Sequence, residues 1–450
     1  MLRSLRHSRS CLSSLNRLNS LNRLYTSVPE TRVSNLVKTR QKKMAPTYGL
    51  FQTFKQPVAL EHASMQYYYD FEGKTYLDCL ASNLTISIGH AHPKVQQAVN
   101  SQGSFMPHVS SMYYSEPVAQ LTEKLLSKFP KRTDGEAWKV YYAVTGTEAV
   151  EVALQLSRVY TGQDHVVGLR NSYHGSYGIA MAASGTEACR HDLNETKPFT
   201  HLEAPLYEKA QPAAVQELLD HQVEHVRREG TSFLYEVVQG YGGIHILPKE
   251  YLQTLERETQ FAGGVSIADE IQNGLGRMGT HYWAYQMHDL NPDIVIVAKG
   301  LGNGYPISAV VAREGIWDRF MDTGKFLFTT YGAQPVACMA ACAVLDTIDE
   351  QNIMAHANNV GQYYHNAMTI LKHKHPEVVT DLRGSGLMHG IEIRKDLGAH
   401  VFEEMRNRYI LPGLGGADKN VLRFMPPMCI EHHNIDKFVT TLDDVLDATR

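Results

Sequence analysis

Residues 139–160 read KVYYAVTGTEAVEVALQLSRVY. The run KVYYAV is rich in β-branched and aromatic residues, as a short buried strand requires. After it, Val150, Ala153, Leu154 and Leu156 recur at helical spacing. Between the two stand Thr145, Gly146, Thr147 and Glu148, so a strand passes into a helix through a glycine-bearing turn. Further short apolar runs follow at HVVGL (165–169), FLYEVV (233–238), VSIAD (265–269) and IVIVA (294–298), separated by helical stretches. Such alternation predicts an α/β fold, a mainly parallel sheet between layers of helices.

On either side of this block the pattern changes. QYYYDFEGKTYLDCL (66–80) reads as a hairpin turning at Glu72-Gly73, followed by LTISIGH and a helix opening at Pro93. After Pro335 come a helix over 337–348, another through the 350s to 370s, the strand LMHGIEI and a terminal unit around VLRFMPPM. The expected organisation is a large domain over 81–334 and a smaller α+β domain assembled from 26–80 and 335–450.

The chain has 450 residues, 43% hydrophobic and 20% charged, enough for a sizeable core and more than one compact unit. A formal charge of -4 and the lack of a long basic block argue against nucleic acid as partner and favour a small-molecule substrate. Cys11, Cys79, Cys189, Cys338, Cys342 and Cys429 form no C-x-x-C pair, which fits a reduced compartment. No apolar run is long enough to span a bilayer, so no membrane partner is expected. Residues 1–25 carry arginines, serines and leucines without an acid, the pattern of a mitochondrial transit peptide, and Arg23-Leu24-Tyr25 resembles a matrix-processing site. The alternative is a basic tail.

GLGRMG (274–279) matches G-x-G-x-x-G literally, but Glu270-Ile271-Gln272-Asn273 separate it from the strand VSIAD and a poor helix opening follows. A surface turn is the better reading, although Asp293 stands at roughly the spacing of a ribose-binding acid. A stronger phosphate site is Thr145-Gly146-Thr147, where a helix N-terminus offers free amides and the positive end of its dipole. Thr145 with Glu148 is equally a capping box. Lys299 abuts IVIVA and begins a glycine-rich turn, a position suited to desolvation and Schiff-base chemistry; Asp269 ends another strand. An acid, an amine and a phosphate cup together are what pyridoxal phosphate requires. His90-Ala91-His92 and His432-His433 lack the further ligands of a metal site, and none is expected.

With YLDCLASNLTISIGHAHP, TGTEAVEVAL, SYHGSYG, EVVQGYGG, IADEIQNGLGRMG, PDIVIVAKGLGNGYP, TTYGAQP, DLRGSGLMHGIE and VLRFMPP in order, the chain resembles the class III, pyridoxal-phosphate-dependent aminotransferases from about residue 50 to its end. The resemblance implies a fold-type-I transferase and a homodimer whose cofactor site is shared across the interface. It implies that Lys299 bonds the cofactor and shuttles protons, that Asp269 pairs with the ring nitrogen and that Gln272 reaches the ring oxygen. Thr145, Gly146 and Thr147 would bind the phosphate. Tyr173, with His174 beside it, would stack on the ring, and Thr330 would reach the phosphate bound by the neighbouring subunit. Arg423 would clamp the substrate carboxylate, its alternative being an ion pair within the fold. Glu236, counted among cofactor and substrate contacts, would pair with that arginine when ω-amino acids enter. Asn83 stands where the family pattern differs and would face substrate; Val144, Val150 and Gln334 are further departures. The expected reaction moves an amino group from an amino acid such as alanine to a 2-oxo acid such as glyoxylate in the mitochondrial matrix. An ω-amino acid aminotransferase and a lyase or decarboxylase of the same fold are the rivals.

Overall fold

The computed structural model describes residues 32–50, 54–190, 199–205, 212–229 and 232–449; the transit-peptide reading of residues 1–25 lies outside them. The first strands are β1 (Leu60–Ser64), β2 (Tyr67–Asp70) and β3 (Thr75–Asp78), and β2 and β3 form the expected hairpin. Next come β4 (Trp138–Ala143), β5 (Val166–Leu169), β6 (Phe199–Leu202), β7 (Ser232–Tyr235) and the short pair β8 (Val238–Gln239) and β9 (His245–Ile246). They are followed by β10 (Val265–Asp269), β11 (Ile294–Val297) and β12 (Ser308–Arg313). The last strands are β13 (Val379–Ser385), β14 (Met388–Ile393), β15 (Ile410–Leu411), β16 (Gly413–Gly415) and β17 (Val421–Phe424).

A seven-stranded sheet of order β4-β12-β11-β10-β7-β5-β6 organises the molecule. All its strands run one way except β12, which pairs antiparallel with both β11 and β4. The ten residues from Ala298 to Ile307 contain no crossover helix, only a turn around Lys299–Gly302, so the chain reverses and returns beside β11. β5, β7, β10 and β11 are buried along their whole length, and the Gly146–Thr161 helix packs its apolar stripe of Val150, Ala153 and Leu154 on the same sheet. LTISIGH forms no strand; Met65 and His90 make a single isolated bridge there.

The segment ahead of it is a short left-handed turn, with φ of 52°, 50°, 60° and 65° at Ala81, Ser82, Asn83 and Leu84. Leu80 and Ala81 donate their amides to Asp78 Oδ1, and Ser87 Oγ donates to the Gly300 carbonyl at 2.6 Å, so the turn is anchored at both ends. The C-terminal part is tied to the N-terminal hairpin through β15, which pairs parallel with β3. A second four-stranded sheet, β13-β14-β17-β16, carries Arg423 on β17.

Candidate active site

Because six of the seven strands share one direction, the residues that follow their carboxyl ends collect along one edge. Thr145 follows β4, Tyr173 and His174 follow β5, Glu236 follows β7, Asp269 ends β10 and Lys299 follows β11. The reversed β12 brings its first residue to that edge, where Ser308 Oγ donates to the Thr145 carbonyl at 2.9 Å.

Thr145 caps the Gly146–Thr161 helix, its hydroxyl accepting from the Glu148 amide at 3.2 Å. Glu148 reaches back past the cap to accept from the Val144 amide at 2.9 Å. The Thr145 side chain is therefore committed to the helix, while the amides of Gly146 and Thr147 form the open positive end available to an anion.

Asp269 is buried, and its two oxygens are divided: Oδ1 accepts from the Ile271 amide at 3.0 Å and Oδ2 lies 2.7 Å from His174 Nδ1. The other ring nitrogen of His174, Nε2, is buried without a partner, as is Gln272 Oε1. Gln272 approaches so close to Gly240 that a β-carbon there would lie 2.1 Å from Oε1. Burial lowers the Lys299 ammonium to about 8; the negative charges of Asp269 and Glu236 oppose the fall and the Arg423 charge adds to it.

Glu236 is fully enclosed and pushed up to about 7, first by burial and further by Asp269, while the positive side of His174 and two backbone bonds pull it down. Those bonds come from the Tyr173 amide at 3.0 Å and the Gly240 amide at 3.1 Å. In the ligand-free protein Glu236 is not paired with Arg423; its two carboxylate oxygens each accept one amide, from the turns after β5 and β8. Arg423 instead lies buried with Nε and Nη1 unpartnered, its guanidinium carbon 6.0 Å from the ring of Tyr241. No ion pair within the fold claims it among the described residues. Tyr241 carried no signal of its own in the sequence, since EVVQGYGG offers one aromatic among small residues.

Tyr173 donates or accepts at Ser176 Oγ over 2.9 Å, and its ring centre is 5.9 Å from that of Tyr241. Asn83 is exposed on the left-handed turn; Thr330 is exposed in the loop before the Pro335–Glu350 helix. GLGRMG is a turn, but a buried one rather than the expected surface turn: Gly276 and Gly279 have φ of 77° and 84°, and Arg277 Nη1 donates to the carbonyls of Leu387 and Pro426. Asp293 is occupied with Arg313 Nε at 2.7 Å and the Ser266 amide at 2.9 Å.

A buried lysine after β11 and a histidine-braced acid ending β10 stand at neighbouring strand ends of an α/β sheet, a pairing suited to chemistry on an amino nitrogen. The chain belongs to the class III aminotransferase family, whose family model matches residues 52–446. It is 33% identical over 433 residues to alanine–glyoxylate aminotransferase 2 homolog 2, mitochondrial, of Arabidopsis thaliana, covering 93% of this chain and 89% of that protein. It is 30% identical over 451 residues to alanine–glyoxylate aminotransferase 2, mitochondrial, of Homo sapiens, covering 92% and 85%. Among solved structures it resembles a phospholyase from Arthrobacter in complex with phosphoethanolamine, with a TM-score of 0.83, 29% identity, and 92% and 99% coverage. The chain is thus an aminotransferase acting on amino acids and 2-oxo acids, and the family implies pyridoxal phosphate. The buried acid Asp269, the unpartnered Gln272 Oε1 and the open helix end fit a polar aromatic ring carrying a phosphate.

Proposed function

We propose that Lys299 holds pyridoxal 5'-phosphate and that the enzyme transfers the amino group of L-alanine to glyoxylate. The observation that carries the substrate class is Arg423, a buried guanidinium with two unpartnered nitrogens whose charge is felt at Lys299. Such a group calls for a carboxylate, which both alanine and glyoxylate carry.

In this reading Gly146 and Thr147 bind the phosphate through backbone amides. Asp269 holds a proton at the ring nitrogen, and His174 fixes the acid's orientation. Gln272 meets the ring oxygen, and Tyr173 covers one face. When bound, the cofactor supplies the electron sink that accepts the density left by the departing α-proton. Lys299, as a neutral amine, would take the proton from the substrate Cα and hold it at Nζ. Arg423 holds the carboxylate so that the Cα–H bond faces Lys299.

A homodimer completes the proposal, with Thr330 of the partner subunit reaching the phosphate. Phe326, Phe328 and Tyr331 beside it are 85%, 54% and 61% exposed, an apolar surface that a second copy would cover. Mitochondrial import is proposed from the composition of residues 1–25 and the names of the relatives. A reporter fused to residues 1–30 should enter mitochondria; a cytosolic reporter would refute import.

The deciding experiment is a half-reaction on the purified holoenzyme. L-alanine should bleach the visible band of the bound cofactor, and glyoxylate, added after the donor is removed, should restore it. A band that survives alanine would sink this donor. The phospholyase neighbour carries a second reading, elimination on the same cofactor. Phosphate release from phosphoethanolamine, with the visible band unchanged after turnover, would favour it.

A further inference from the structure

Resting on the carboxylate-binding reading of Arg423, we propose that Tyr241 positions that arginine and restricts the site to substrates that bring a carboxylate to it while their reacting nitrogen is at Lys299. The arginine has no acid beside it, and an aromatic ring occupies part of its surroundings. At 6.0 Å between guanidinium carbon and ring centre, the attraction is at the outer edge of a cation–π contact. The ring therefore acts mainly by filling space and setting the arginine's direction.

The surroundings support this division of labour. On β16, Gly413 and Gly415 leave a channel for the arginine stem: a β-carbon on Gly415 would lie 2.8 Å from Cδ and 3.0 Å from Nε. Tyr241 sits in the turn between β8 and β9, and its carbonyl accepts from the Gly416 amide at 3.3 Å, which ties that turn to the strand flanking the arginine. The Tyr173 ring lies against Tyr241, with ring centres 5.9 Å apart. Nothing in this arrangement neutralises the guanidinium, so its two unpartnered nitrogens must be satisfied by what enters.

The consequence is a filter. A substrate whose carboxylate reaches Arg423 while its amine reaches Lys299 leaves no buried charge alone. An ω-amino acid entering amine-first presents methylene groups to the guanidinium, and a simple amine presents nothing. Sites built to bind a polar group reject analogues that lack it by several orders of magnitude. Glu236 is held toward the turns after β5 and β8 by the amides of Tyr173 and Gly240 and makes no ion pair with the arginine.

The test compares Tyr241→Glu with its neutral near-isostere Tyr241→Gln in the holoenzyme. Propionate, an alanine without its amine, serves as the carboxylate probe, with alanine and 4-aminobutyrate as donors. In Tyr241→Glu the new carboxylate should pair with Arg423, weakening propionate inhibition and raising the alanine KM by about tenfold or more relative to Tyr241→Gln, with a smaller change in kcat. Reaction with 4-aminobutyrate should rise. Tyr241→Phe, which keeps the ring, should hold the alanine KM close to that of the unmodified enzyme. Equal propionate and alanine affinities in the Glu and Gln variants would overturn the inference. If the unmodified holoenzyme neither reacts with alanine nor is inhibited by propionate, the carboxylate-binding reading itself falls.

Discussion

His174 Nδ1 lies 2.7 Å from Asp269 Oδ2, and both side chains are buried. The imidazole fixes the acid from behind, leaving its reach toward a cofactor ring set by geometry rather than by solvent. Replacing Asp269 with Ala should abolish most turnover while cofactor is retained, because the electron sink depends on the acid more than binding does. His174→Asn should lower kcat by about ten- to a hundredfold, the worth of one charge-assisted hydrogen bond. The visible spectrum and kcat of the two variants check this; an unchanged kcat in His174→Asn would deny His174 a supporting role.

Burial brings Lys299 down to about 8 from an ordinary lysine value. Only the neutral amine attacks an aldehyde, so the cofactor-free protein should capture pyridoxal phosphate about tenfold faster at pH 9 than at pH 7, with a plateau above. Stopped-flow absorbance reads the rate. A profile still climbing steeply beyond pH 10 would mean that the lysine is not desolvated.

Arg423→Ala should raise the alanine KM by roughly ten- to a hundredfold. Arg423→Lys should recover little of it, because an ammonium cannot offer the planar pair of donors. Steady-state kinetics over a range of alanine concentrations decides the matter, and an unchanged KM would remove the arginine from substrate binding.

Glu270, at the end of β10, accepts from the amides of Ala284 and Tyr285, yet burial pushes it up to about 7. Its folded form holds a proton more tightly than the unfolded chain does. Stability from this group is present below the unfolded carboxylate range and falls as pH rises toward 7. Glu270→Gln should therefore flatten the loss of stability between pH 5 and pH 8, by up to roughly 3 kcal/mol. Urea melts at the two pH values measure the slope.

The strands β4, β10 and β11 and the helix after Gly146 were legible because continuous β-branched runs and a 3.6-residue period are local signals. The strand β12, SAVVAR, was not singled out, although it stands between β11 and β4; its reversed direction follows from the short return after Lys299, a tertiary fact. The candidate site was legible where chemistry and position coincide, as at Asp269 and Lys299. It was not legible where long-range hydrogen bonds orient a group: the amides of Tyr173 and Gly240 hold Glu236 from two separate turns. Tyr241 meets Arg423 only because the β8–β9 turn folds against β16. No spacing in the chain announces that meeting.

The left-handed turn at Ala81–Leu84 sets four side-chain-bearing residues in a conformation that costs about 1–2 kcal/mol each, and its far end is fastened to the backbone beside Lys299 through Ser87 and Gly300. Glycine at Ser82 or Asn83 would relieve part of that tension. A search for heat-resistant variants should consequently converge on these positions, and the hardier enzymes it yields should hold Lys299 less firmly. In this chain a strained turn lies three residues from the hydrogen bond that fastens the backbone beside Lys299, so a change made at the turn for heat tolerance is also a change next to that anchor.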